Sequence, residues 1–108
     1  NARLGKTESA LTDLNALLVN RYRLGAFTPV AVTDSTQLLS IILDERRKEL
    51  LFRGTRLTDL KRLNKDPRFA ITLERFLNGT VYQLPPNDNR YVAQLPIIVT
   101  DFGVTQNP

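Results

Sequence analysis

The sequence contains no cysteine, methionine, histidine or tryptophan. Without cysteine there is no disulfide framework, no thiolate nucleophile and no sulfur-rich zinc site. Without histidine the usual general base near neutral pH is missing, together with the commonest metal ligand. Long apolar runs are also missing: none approaches the roughly 20 residues needed to span a bilayer. The opening stretch NARLGKTESA lacks the apolar core of a signal peptide. No Gly-rich phosphate loop, serine nucleophile motif or carboxylate metal loop occurs. These absences leave no catalytic residue, no metal ligand set and no cofactor to nominate. The chain starts at Asn1 instead of methionine, so a piece of a longer protein, or a processed chain, is expected.

What remains is an ordinary globular composition: 108 residues, 42% hydrophobic and 24% charged, enough for one small domain or fragment. Lys+Arg 15 against Asp+Glu 11 gives a net charge of +4. The basic side chains crowd around residues 53–68, as Arg53, Arg56, Lys61, Arg62, Lys65 and Arg68. Asp59 and Asp66 lie among them and no recognition-helix motif accompanies them, so a solvated or paired face is expected and a nucleic-acid partner is not.

Hydrophobic spacing predicts a first helix over about 7–23, with Leu4, Leu11, Leu14, Leu18 and Tyr22 in one stripe and Gly25 as its cap. The segment AFTPVAVT is an extended connection around Pro29. Asp34, with Gln37 three residues later, marks the start of a second helix over about 34–53 that Gly54 closes. A short third helix covers 56–63, with Leu57, Leu60 and Leu63 along one side. Asn78-Gly79 then sits between two strand-like runs, the sequence signal for a type I′ hairpin over about 71–84. The tail, 85–108, is rich in Pro, Asn and Asp and reads as irregular, with a short extended piece at Ile97–Val99. The expected class is mainly α, about three helices followed by a hairpin and an irregular tail.

The second helix carries a conflict. At about 100° per residue, Leu38, Leu39, Ile42 and Leu50 share a face with Glu45, Arg46, Glu49 and Arg53. Three readings compete. A rotated, solvated helix leaves Leu50, Leu51 and Phe52 hard to place. Paired carboxylates for acid–base catalysis are a poor fit, because neighbouring arginines lower a carboxyl pKa when a general acid needs it raised. A structural ion network fits best: Glu45 and Glu49, one turn apart, accept from arginines such as Arg46, Arg53, Arg56 and Arg62, whose planar forks match carboxylates. Arg56 and Arg62 are the expected partners across Gly54, with both glutamates largely buried. Asp59 completes the set.

Those residues also resemble a known pattern. ERRKELLFRGTRLTDLKR is similar to the C-terminal signature of the SusD/RagB family of outer-membrane nutrient-binding lipoproteins, commonly E-R-R-x-E-L-x-F-E-G-x-R-x-x-D-L-x-R. Glu45, Arg46, Arg47, Glu49, Leu50, Phe52, Gly54, Arg56, Asp59, Leu60 and Arg62 stand in register with it. Downstream, LPPNDNRYVAQLPIIVTDFGVTQNP resembles the family's closing L-P-P-N-D-P-R-Y-V, then L-P-I-P, then Q-N-P. The helix LGKTESALTDLNALLVNRY resembles the one that precedes the signature. Arg53 replaces a usual Glu, Asn89 a Pro, and Ile98 the second Pro of L-P-I-P; Thr55, Leu57 and Thr58 replace an aromatic-rich stretch.

The resemblance implies a SusD-like helical (TPR-like) fold of which this chain is the C-terminal portion. It implies a non-catalytic role: capture of glycans or other nutrients at the surface of Bacteroidetes-type bacteria. The implied partner is a SusC-like TonB-dependent outer-membrane transporter, and the implied membrane link is an N-terminal lipid anchor that this chain does not contain. The other reading is a small helical scaffold for protein–protein contact with no ligand of its own. Asn87, Asp88, Arg90 and Tyr91, with Tyr82, are the weak candidates for a sugar site, where aromatic platforms and polar rims are usual. A turn whose Asn and Asp bond their own backbone is the favoured reading of the same residues.

Overall fold

A computed structural model describes residues 1–107; Pro108, the last residue of the Q-N-P terminus, lies outside the described residues. Among the described residues the architecture is four α-helices and one antiparallel hairpin, mainly helical as the sequence predicts. The chain divides into two compact units, residues 1–51 and residues 52 onward.

The first unit holds α1 (Thr7–Leu18) and α2 (Ser35–Glu49), preceded by a single 3₁₀ turn at Ala2–Leu4. Its core is Ala10, Leu14, Leu18 and Leu38, against which Leu11, Phe27, Val30 and Ile42 pack. Leu38 is completely buried, and a buried leucine contributes about 1.5–3 kcal/mol relative to an exposed one. The predicted stripe on α1 is only its middle. Leu14 and Leu18 are buried, whereas Leu4 and Tyr22 are mostly exposed, and Ala10 takes the place that spacing gave to larger residues.

The helix also stops at Leu18, short of Arg23. The next amides bond three residues back, Asn20 to the Leu17 carbonyl and Arg21 to that of Leu18. The Asn20 side chain donates to the Ala16 carbonyl at 2.7 Å. An asparagine that competes for backbone partners ends helices for this reason. Tyr22 then meets Phe27 ring to ring at 5.6 Å. The extended connection is pinned by Asn15, whose carboxamide accepts from the Val30 N–H at 2.8 Å and donates to the Val30 carbonyl at 3.0 Å.

Helix α2 begins where the sequence places it: the Asp34 carboxylate accepts from the Gln37 N–H at 2.5 Å. It ends at Glu49, earlier than the predicted Arg53. Phe52 has φ 61° and Gly54 has φ 71°, so the left-handed turn that terminates a helix comes at two residues, and the first of them is not the glycine.

The second unit opens with α3 (Arg56–Leu63), on which Leu60 is buried while Leu57 stays half exposed. Strands β1 (Leu73–Leu77) and β2 (Thr80–Leu84) pair antiparallel, Leu73 with Leu84 through to Leu77 with Thr80. Asn78 and Gly79 have φ 49° and 79°, the two positive values that a type I′ turn requires. Leu73, Arg75, Leu77, Thr80, Tyr82 and Leu84 therefore share one face, and Glu74, Phe76, Val81 and Gln83 the other. On that second face Gln83 donates to Glu74 at 2.6 Å, while Phe76 and Val81 stand exposed as neighbours.

The tail is not extended at Ile97–Val99. Residues Ile97–Thr100 form one helical turn, α4, entered from Pro96. The Thr100 hydroxyl donates to the Ile97 carbonyl at 2.7 Å, and Gly103 at φ 82° reverses the chain. Gln106 then pairs with both backbone groups of Leu95, at 2.7 and 3.1 Å, and Asn107 donates to the Ala93 carbonyl at 2.8 Å. This buckle explains the helical turn: a loop whose ends are tied together must double back, against the extended preference of Ile-Ile-Val.

Candidate functional site

Two groups of residues were singled out by sequence, and each belongs mainly to one unit. In the first unit Leu38, Ile42, Glu45 and Glu49 follow one another at helical spacing along α2, so the carboxylates continue the buried stripe. Glu45 keeps 16% of its side chain exposed and Glu49 29%. Lys48, one turn away, donates to Glu45. That contact holds the Lys48 ammonium above its ordinary pKa. Arg21, just beyond the end of α1, donates to the Glu49 carboxylate at 2.6 Å.

Lys48 and Arg21 were not among the expected partners, and Arg62 instead donates to Asp59. Glu45 is met by a lysine of its own helix, and Glu49 by an arginine 28 residues upstream. The physical reason is reach: α2 packs on α1, so a cation at the end of α1 lands beside the last turn of α2. No feature inside ERRKEL points to it. The signal lay in NRYR, four residues with two cations directly after an apolar stripe. Arg46 and Arg56 are also engaged in interactions.

A shallow concavity of about 540 Å³ runs beside this charged turn, lined by Ile41, Asp44, Glu45, Arg47, Lys48 and Leu51. It has the volume of a small-molecule site but no aromatic face on which a sugar ring would stack.

In the second unit Arg62 donates to Asp59 at 3.0 Å, one turn apart on α3. Arg68 and Asp66 form a similar local pair, and Arg68 also lies over the Phe69 ring at 5.2 Å. The basic run is thus interrupted by its own acids.

The turn that follows β2 gathers Asn87, Asp88, Arg90 and Tyr91, and its polar groups face inward on the chain. Asn87, at φ 61°, donates to the Asn64 carbonyl at the end of α3, at 3.1 Å. Asp88 caps the 3₁₀ turn Asn89–Tyr91 by accepting from the Arg90 N–H at 2.9 Å. The Arg90 guanidinium closes on both oxygens of Asp88 at 2.9 Å and donates to the Gln83 carbonyl of β2 at 2.9 Å. Held in this way, the Asp88 carboxyl falls to a pKa of about 2, and the guanidinium is raised in return. Tyr91 is 5% exposed, so its ring offers no platform to a ligand. Tyr82 is more than half exposed on the hairpin. Asn64, the residue that closes α3, is the buried post of this arrangement: its side-chain oxygen accepts from the Ile71 N–H at 3.3 Å.

The charged turn of α2 is held by Lys48 and Arg21, and the turn after β2 is strapped to the hairpin by Arg90. A family model described as SusD family matches residues 1–96, and the chain belongs to that family. No curated protein matches the chain, and no solved structure does.

Proposed function

We propose that this chain is a non-catalytic part of a cell-surface lipoprotein that binds glycans or other nutrients and hands them to a SusC-like TonB-dependent outer-membrane transporter. The observation that carries this reading is the SusD family match over residues 1–96. The geometry supports the non-catalytic part of it. Glu45, Glu49, Asp59 and Asp88 each hold a cation, and Asp88 is pushed toward permanent ionisation, the opposite of what a general acid needs. These charged residues then act as braces for helix ends and turns, and ligand capture falls to residues other than Asn87, Asp88, Arg90 and Tyr91. Membrane attachment in this proposal comes through an N-terminal lipid.

The test is made on intact cells that express the full protein. Added protease should digest it without lysis, and its deletion should lower uptake of one class of polymeric or oligomeric nutrient. A protein that is shielded from protease until the cells are broken would overturn the proposal.

A further inference from the structure

The tip of the hairpin is chemically unlike any other exposed turn of the chain. Asparagine followed by glycine can react with itself: the backbone nitrogen of the second residue reaches the side-chain carbonyl carbon of the first and closes a five-membered ring. A Cβ on the second residue hinders that approach, and glycine has none. At Gly79 the space that a Cβ would fill is open. Asn78 and Gly79 are both exposed. The Asn78 carboxamide makes no hydrogen bond among the described residues, and the Gly79 N–H, between the paired Leu77 and Thr80, makes none either.

The other asparagines lack this combination. Asn1, Asn15, Asn20, Asn64, Asn87 and Asn107 have their side chains in hydrogen bonds, and Asn89 is followed by the bulky Arg90. We propose that Asn78 is a site of spontaneous deamidation, through a succinimide formed with the backbone nitrogen of Gly79.

The Gly79 nitrogen gives up its proton to hydroxide and bonds to Cγ of Asn78. The Cγ–Nδ2 bond breaks, and the departing nitrogen takes a proton from water to leave as ammonia. Water then opens the ring at either carbonyl, giving aspartate or the β-linked isoaspartate. The two products differ in consequence. Aspartate adds one negative charge and keeps an Asp-Gly pair that still suits the turn. Isoaspartate inserts a methylene into the main chain of a two-residue turn, so Leu77 and Thr80 lose their pairing and the exposed Phe76–Val81 neighbours shift with them.

The experiment incubates the whole chain at mildly alkaline pH and physiological temperature, followed by trypsin digestion and tandem mass spectrometry. Cleavage after Arg75 and Arg90 leaves Asn78, Asn87 and Asn89 in one peptide, so fragmentation must assign the site. The expected result is exchange of amide for carboxylate at Asn78 ahead of both others, faster as hydroxide rises, with isoaspartate detected by enzymatic methylation. Asn78→Gln should lose the reaction, and Asn78→Asp, which preserves the turn, should show no further mass change in that peptide on the same timescale. A folded chain in which Asn78 stays intact, in buffer that converts a short peptide of the same residues, would overturn the proposal. So would conversion that appears first at Asn87 or Asn89.

Discussion

Asn15 and Val30 are joined by a two-way pair: the carboxamide oxygen accepts from the Val30 N–H and the amide nitrogen donates to the Val30 carbonyl. One side chain thereby supplies both partners that a neighbouring strand would give an extended residue. It fixes the connection between α1 and α2 beside the core cluster that includes Leu14 and Leu38.

Asn15→Ala leaves two part-buried backbone groups without partners, and each such loss costs about 1–3 kcal/mol. Urea unfolding should show a fall of about 2 kcal/mol or more for the two together. Asn15→Leu, of similar volume but without the amide, should be no better. A loss of a few tenths of a kcal/mol would mean that water replaces the carboxamide freely.

The Asp88–Arg90 clasp makes a prediction about acid. The folded-state pKa of Asp88 is about 2 against an ordinary 3.8, so the carboxylate is stabilising above the unfolded value. That contribution is lost as the pH falls from 3.8 through 2. Denaturant midpoints across this window should drop more in the native chain than in Asp88→Asn, whose side chain does not titrate. Parallel curves for the two would contradict the clasp.

Glu45 and Glu49 stand between the buried and solvated extremes. Their pairs with Lys48 and Arg21 retain cations that are 67% and 56% exposed, and pairs of this kind contribute about 0–1 kcal/mol. Glu49→Ala should therefore cost about 1 kcal/mol or less, a value reduced further by salt. A double-mutant cycle should couple Glu49 to Arg21. A loss of 3 kcal/mol or more, on the scale of a broken buried pair, would show that the face is far drier than these exposures indicate.

Phe52 holds φ 61° with its ring almost fully exposed. A left-handed conformation costs a non-glycine residue about 1–2 kcal/mol. Phe52→Gly should raise the unfolding midpoint, since little burial is lost to offset the relief. A destabilised variant would reveal packing for the ring that outweighs its strain.

Local chemistry was legible in the sequence and long-range chemistry was not. Asp34 before Gln37 and Asn78 before Gly79 are decided by atoms a few bonds apart, and the cap and the type I′ turn follow. Arg21 with Glu49, and Asn15 with Val30, depend on how two helices and a connection pack, which no short window contains. The ends of α1 and α2 fell short of expectation because periodicity runs on past the point where Asn20 and Phe52 turn the backbone. The helical turn at Ile97–Thr100 escaped because its cause, the Gln106 buckle, sits 11 residues from Leu95. For the candidate site, the turn reading accords with Asp88, which accepts from the Arg90 N–H two residues on, whereas Asn87 reaches across to the Asn64 carbonyl, 23 residues away. That longer reach was not visible.

The proposed partnership with an outer-membrane transporter is measured most directly by affinity purification of the tagged full protein from detergent-solubilised membranes of its own cells. A TonB-dependent β-barrel transporter should co-purify in near-stoichiometric amount from the outer-membrane fraction. Recovery of the protein from the soluble fraction, with no such transporter in the eluate, would contradict it.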